Sequence, residues 1–114
     1  MNVPPDMTDS LRFVTAYLDF LRFVIQKNPN AKIVLALGGG LTDYYPQGLL
    51  RLSRYKSWVK SVLQKVEKKY SNTFGFFEFQ PQNPPYGEDW HPTVISQQKF
   101  ASEITPYLRE FMGW

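Results

Sequence analysis

Lys32-Ile33-Val34-Leu35-Ala36-Leu37, followed by Gly38-Gly39-Gly40, is the stretch on which the fold turns. A short apolar run bounded by turn formers predicts a strand buried on both faces, the habit of a parallel sheet. The triglycine stops it. A phosphate-binding loop would end in Gly-Lys-Ser/Thr and open into a helix. Here the chain continues Leu41-Thr42-Asp43-Tyr44-Tyr45, which argues against that use.

Upstream, residues 10–27 read as a helix. Arg12, Thr15, Asp19, Arg22 and Gln26 recur at spacings of three and four and form one narrow polar stripe. Phe13, Val14, Tyr17, Leu18, Phe20, Leu21, Phe23, Val24 and Ile25 fill most of the remaining circumference, which predicts packing on more than one side. Thr8, Asp9 or Ser10 is the expected N-cap, and Asn28-Pro29-Asn30 ends the helix. Downstream, residues 49–70 form an amphipathic helix with Leu52, Tyr55, Val59, Val62 and Val66 on one face, joined by Trp58 and Leu63. Phe74 to Phe79 reads as a second strand, and Gln80 to Pro92 as a loop stiffened by Pro81, Pro84, Pro85 and Pro92. A third helix covers Val94 to Met112, with Pro106 expected to kink or split it and Gly113 just past its end.

The order helix, strand, helix, strand, loop, helix implies a right-handed crossover between parallel strands and a layered α/β fold. Two strands cannot cover three helices, and they leave both sheet edges unpaired. Residues 1–114 therefore read as a single partial domain, the C-terminal part of a larger α/β unit whose other strands come from the same polypeptide or from a partner.

With 114 residues and 43% hydrophobic composition, the chain has enough apolar mass for a core. No run reaches the roughly 18 apolar residues of a membrane span, and Met-Asn-Val-Pro-Pro-Asp lacks signal-peptide architecture, so neither a membrane segment nor an intact secretory signal is expected. Zero cysteines and one histidine exclude disulfides, thiolate sites and multi-histidine metal sites. Any catalysis must use His91, carboxylates or hydroxyls. Residues 51–69 carry seven basic side chains against one acidic, leaving the rest of the chain net acidic. Such a stripe could attract phosphate, but no nucleic-acid module accompanies it, and a solvated helix face is the plainer reading.

The chemistry concentrates in Gly87-Glu88-Asp89-Trp90-His91-Pro92, two carboxylates within three residues of the only histidine, in a loop after a strand. Open α/β sheets place ligands there. An acceptor on one imidazole nitrogen fixes the tautomer and leaves the other nitrogen free to take a proton from a hydroxyl nucleophile. The alternative is structural: His91 caps the third helix or pairs with an acid for stability. Tyr44, Tyr45 and Trp90, expected on the same sheet edge, either line an acyl or sugar site or pack against the missing half.

Asp89-Trp90-His91-Pro92, a Phe-rich strand before it, and Gln97, Phe100-Ala101, Leu108 and Gly113-Trp114 after it, resemble the C-terminal block of the SGNH (GDSL-type) hydrolases, carbohydrate esterase family two above all. Phe13, Tyr17, Phe20-Leu21 and Asn28-Pro29-Asn30-Ala31-Lys32-Ile33 look like that family's helix before its penultimate strand. The likeness spans roughly residues 10–114. It implies the C-terminal portion of a flavodoxin-like three-layer fold whose sheet is incomplete in this chain. It further implies a serine esterase that removes acetyl groups from carbohydrate, without metal or organic cofactor. Family members are commonly extracellular, although nothing in these residues shows export.

By the same resemblance His91 is the general base. The supporting acid of the superfamily, three residues earlier, matches Glu88, and that of family two, two residues earlier, matches Asp89. Some members work with a serine–histidine dyad. The nucleophile turn Gly-Asp-Ser and the oxyanion turn Gly-x-Asn-Asp are absent here. Thr8-Asp9-Ser10-Leu11 only mimics the former, since no strand precedes it, and Ser96 lies a turn into the third helix. The nucleophile is thus expected on other polypeptide, through truncation, on a separate chain, or lost in a degenerate relative, and residues 1–114 alone should turn over little ester. A different class of reading is a non-catalytic module that docks its apolar first helix and open sheet edge onto a partner.

Overall fold

A computed structural model describes residues 7–44, 47–84, 86–88 and 91–114. The elements are α1 (Met7–Lys27), β1 (Ile33–Leu37), α2 (Arg51–Lys69), β2 (Phe74–Glu78) and α3 (Val94–Met112), in the order the sequence predicts. β1 and β2 pair in parallel, with Ile33 opposite Phe74 and Leu37 opposite Glu78. The alternation of each strand then sorts side chains into two layers.

On one face, Ile33, Leu35 and Leu37 of β1 meet Val14, Leu21 and Ile25 of α1 and Val59, Val62 and Val66 of α2. Phe74 and Phe76 of β2 pack against this core. Leu35, Val62 and Val66 are almost completely buried, each contributing about 1.5–3 kcal/mol relative to exposure. Phe13 of α1 joins the two helices through Tyr55 and Trp58, at ring separations of 5.2 and 5.4 Å. Lys56 reaches Glu78 at 2.8 Å and Lys60 lies over Phe76, so part of the basic stripe clips α2 to β2.

On the other face α3 lies along β2. Phe77 meets Tyr107 at 5.1 Å, and Phe79 meets Phe100 at 5.4 Å. Gly75 makes this approach close. A Cβ there would collide with the Tyr107 hydroxyl and stand 2.8 Å from the Phe111 ring. Lys32, just before β1, donates to the carbonyls of Phe111 and Met112 at 3.2 and 3.4 Å and caps the last turn of α3.

Several expectations are corrected. β1 is covered on one face only, because α3 sits over β2 and leaves Ala36 exposed. α1 likewise packs on one side, leaving Leu11, Phe20 and Phe23 more than half exposed while its predicted polar stripe faces solvent. Thr8, Asp9 and Ser10 are not the cap but lie within the first turn of α1, where such residues are also well tolerated. Pro106 does not split α3. It lies on the exposed side of the helix together with Ser102, whose carbonyl it leaves without an N–H donor. Among the described residues no helix is long and apolar enough to cross a membrane.

The result is a slab of 40 × 38 × 19 Å with a radius of gyration of 15.7 Å, against about 13 Å for a compact domain of this length. Its accessible surface is 8234 Å², against about 6500 Å² for a folded monomer of this mass. A two-stranded sheet with an uncovered face and two open edges contributes to the excess.

α2 begins unusually. Its first flanking residue, Leu50, has φ 48° and offers no side-chain cap. Asp43 substitutes from the loop before it: its carboxylate accepts the Ser53 N–H at 2.8 Å and the Ser53 hydroxyl. The Ser53 hydroxyl first, then the Ser53 and Leu52 amides, hold the Asp43 carboxyl below its ordinary pKa.

A depressed folded pKa gives stability that is full above the unfolded value, about 3.9 for aspartate, and is lost as pH falls through the folded one. Asp43→Asn should therefore flatten the acid limb of a stability–pH profile below about pH 4, read by urea unfolding at several pH values. Gly75→Ala should cost about 1–3 kcal/mol through overpacking against Tyr107 and Phe111, measured by the same unfolding at neutral pH.

Candidate active site

Both strands run toward one edge, and the loops that leave it are stitched together. Phe79 donates to the Leu37 carbonyl at 3.0 Å and Gln82 to the Gly39 carbonyl at 2.9 Å, so strand-like pairing persists beyond β2. Gly39 is buried, and a Cβ on it would stand 2.6 Å from the Phe100 ring and 2.7 Å from the Gln80 carbonyl. The triglycine therefore serves close approach of loop to helix at its middle position.

Gln80 is held from the opposite side. Its N–H donates at 2.9 Å to Glu103 Oε2. Glu103 lies between Phe100 and Tyr107 on the inward face of α3, and its Oε1 is buried without a hydrogen-bond partner among the described residues. Sequence reading missed this residue, although an acid inside an apolar helix stripe is a signal that something polar lies opposite.

His91 follows in the same loop and is exposed. Its main-chain N–H donates to the Glu88 carbonyl at 3.0 Å, and its ring Nδ1 lies 2.7 Å from that same oxygen. A carbonyl only accepts, so Nδ1 carries the proton and Nε2 presents a lone pair. The Glu88 atom brought to the imidazole is thus its backbone oxygen, while the side chain stands exposed. The Gly87 N–H in turn donates to the His91 carbonyl at 2.8 Å.

α3 starts immediately afterward, and its cap is Thr93, not His91. Thr93 Oγ1 accepts the Ser96 N–H at 3.2 Å. Ser96 is buried, with its hydroxyl 3.3 Å from Thr93 Oγ1. Gln97 Nε2 donates to the Pro92 carbonyl at 3.2 Å, fixing the exit of the loop. Val94 and Ile95, the first residues of α3, are exposed beside the histidine in sequence. Tyr44 stands on the neighbouring loop with its side chain 89% exposed, so its ring packs against neither His91 nor the core. Asp89, Trp90 and Tyr45, the other candidates, lie outside the described residues. Ser10 is half-buried in the first turn of α1. With one histidine and no cysteine in the chain, the site offers a base and hydrogen-bond acceptors rather than a nitrogen–sulfur metal set.

No protein-family model matches the chain. It is 31% identical over 108 residues to the cellulase/esterase CelE of Acetivibrio thermocellus, covering 93% of this chain. It is 26% identical over 110 residues, 96% of its length, to an acetylxylan esterase/glucomannan deacetylase of Cellvibrio japonicus. Among solved structures, a family two carbohydrate esterase from Clostridium thermocellum in complex with cellohexaose matches 93% of this chain at 30% identity and a TM-score of 0.81. The chain spans 12% and 28% of the two relatives and 31% of the solved chain.

Thr93→Ala should destabilise the start of α3 by about 1 kcal/mol, the usual cost of a lost N-cap. Denaturant unfolding measures the loss, and faster amide exchange at Ser96 locates it.

Proposed function

From a chain that corresponds in sequence and fold to the C-terminal part of a family two carbohydrate esterase, we propose that residues 1–114 supply the histidine general base of a serine esterase that removes acetyl groups from carbohydrate. The observation that carries this reading is the 2.7 Å contact of His91 Nδ1 with the Glu88 carbonyl, which leaves Nε2 as an acceptor on an exposed ring. That is the protonation pattern a general base requires.

The nucleophile is a serine hydroxyl on polypeptide outside these residues. His91 Nε2 takes its proton as the oxygen attacks the ester carbonyl. The resulting imidazolium returns that proton to the departing sugar hydroxyl when the tetrahedral adduct collapses, leaving an acetyl-serine. Water, deprotonated by the same Nε2, then releases acetate and restores the serine. Oxyanion donors come from the same missing portion. A neutral carbonyl orients the ring but stabilises the imidazolium less than a directly bonded carboxylate would. Tyr44, Tyr45 and Trp90 line the approach of the acetylated sugar in this reading.

In this reading the rest of the enzyme covers β1 where Ala36 is exposed and adds strands to the two-stranded sheet, and what supports it is that exposed position and those open edges. The accessible surface of 8234 Å² is roughly 1700 Å² above that of a monomer of this mass, about twice the ~800 Å² that one partner gives to an ordinary interface, and so leaves room for a large one. The same surface favours the second reading, a non-catalytic module that docks on a partner through its sheet edge and α1.

The two readings part on one measurement. In the assembled protein, His91→Ala should lower acetate release from an acetylated xylan or glucomannan by at least about 10²–10⁴-fold, the range for loss of a general base. Substrate binding should change little. Unchanged release would remove His91 from the mechanism and leave the docking module.

A further inference from the structure

We propose that Gly87 is the positioning residue of the His91 base, because the clasp that holds the imidazole closes only over a residue without a side chain. This rests on the reading of His91 as the base and adds a residue to it. The clasp is built from main chain. Gly87 donates its N–H to the His91 carbonyl at 2.8 Å, and Glu88 returns its carbonyl to the His91 N–H at 3.0 Å and to ring Nδ1 at 2.7 Å. Each contact requires the others, since turning His91 to break one moves its carbonyl, its amide and its ring together.

A Cβ on Gly87 would stand 2.8 Å from the His91 carbonyl oxygen, 3.6 Å from its carbon and 3.8 Å from the Pro92 oxygen. The obstacle is backbone, which has no rotamer to change. Downstream the strain cannot dissipate easily, because Gln97 Nε2 holds the Pro92 carbonyl at 3.2 Å and Thr93 is fixed as a helix cap. A side chain at position 87 therefore pushes the His91 carbonyl away, lengthens the Gly87 bond and swings Nδ1 off the Glu88 oxygen. Gly38 and Gly40 show the contrast, with nothing within 4 Å of a Cβ.

The consequence is a specific chemical state. With the clasp closed, His91 is held as the Nδ1–H tautomer by a neutral acceptor; with it open, the ring returns to the tautomer mixture of a free imidazole and its Nε2 loses its aim. A misplacement of about 1 Å costs on the order of 10²-fold in rate.

The test uses the assembled protein with nitrogen-15 label in histidine. The native protein should show a protonated Nδ1 and an unprotonated Nε2, and slowed amide exchange at Gly87 and His91 despite the exposed position of the loop. Gly87→Ala should shift the two ring signals toward the free tautomer mixture and lower kcat for acetate release by about 10²-fold with KM nearly unchanged. Gln97→Ala should move both in the same direction by less. Native tautomer signals and kcat in Gly87→Ala would overturn the proposal. Should that variant not fold, rapid exchange at both amides of the native protein would overturn it instead. If His91→Ala retains activity the base reading fails, whereas the ring signals judge the clasp independently.

Discussion

The parallel register of β1 on β2 is the constraint from which the other features follow. With Ile33 opposite Phe74, the odd residues of β1 and the even residues of β2 face α1 and α2, while Gly75, Phe77 and Phe79 face α3. A slip of one residue would place three phenylalanines of β2 on the wrong layers and move Gly75 from beneath Tyr107. The same register brings Leu37 and Gly39 to the amides of Phe79 and Gln82, and so sets where the histidine loop leaves the sheet. Site geometry is therefore inherited from strand pairing.

Much of this was legible in the sequence because it depends on periodicity. The apolar runs at 33–37 and 74–78, the valines of α2, and Gly113 at φ 74° as the stop of α3 answer to local rules. What could not be read depends on which elements are neighbours. β1 reads as buried on both faces because nothing in Ile33-Val34-Leu35-Ala36-Leu37 says that α3 lies over β2 alone. Pro106 reads as a breaker because the rule does not know that its turn faces water. Glu103 signals only that something polar lies opposite it; its partner, the Gln80 amide, is a backbone group that every residue possesses and so could not be named.

The same limit applies to the candidate site. The spacing Glu88-Asp89-Trp90-His91 draws attention to carboxylates, the groups a sequence displays. The acceptor that meets Nδ1 is a carbonyl, present at every position and therefore silent in a sequence. The resemblance to family two carbohydrate esterases points to His91; only the contact of its Nδ1 with the Glu88 carbonyl specifies which of its nitrogens is left as an acceptor. The flat form is the product of this layering, with one layer of helices on β1 and β2 and the other covering β2 alone.

The junction of Gly39 with Gln82 and Phe100 has an entropic consequence. Two surface loops that wandered separately would each have to be immobilised whenever a substrate settled between them. Here the Gln82 amide and the ring beneath Gly39 bind the two segments into a single body at the moment the sheet forms. Their shared disorder is surrendered once, in folding, so that a molecule bound at that edge would find both segments already at rest.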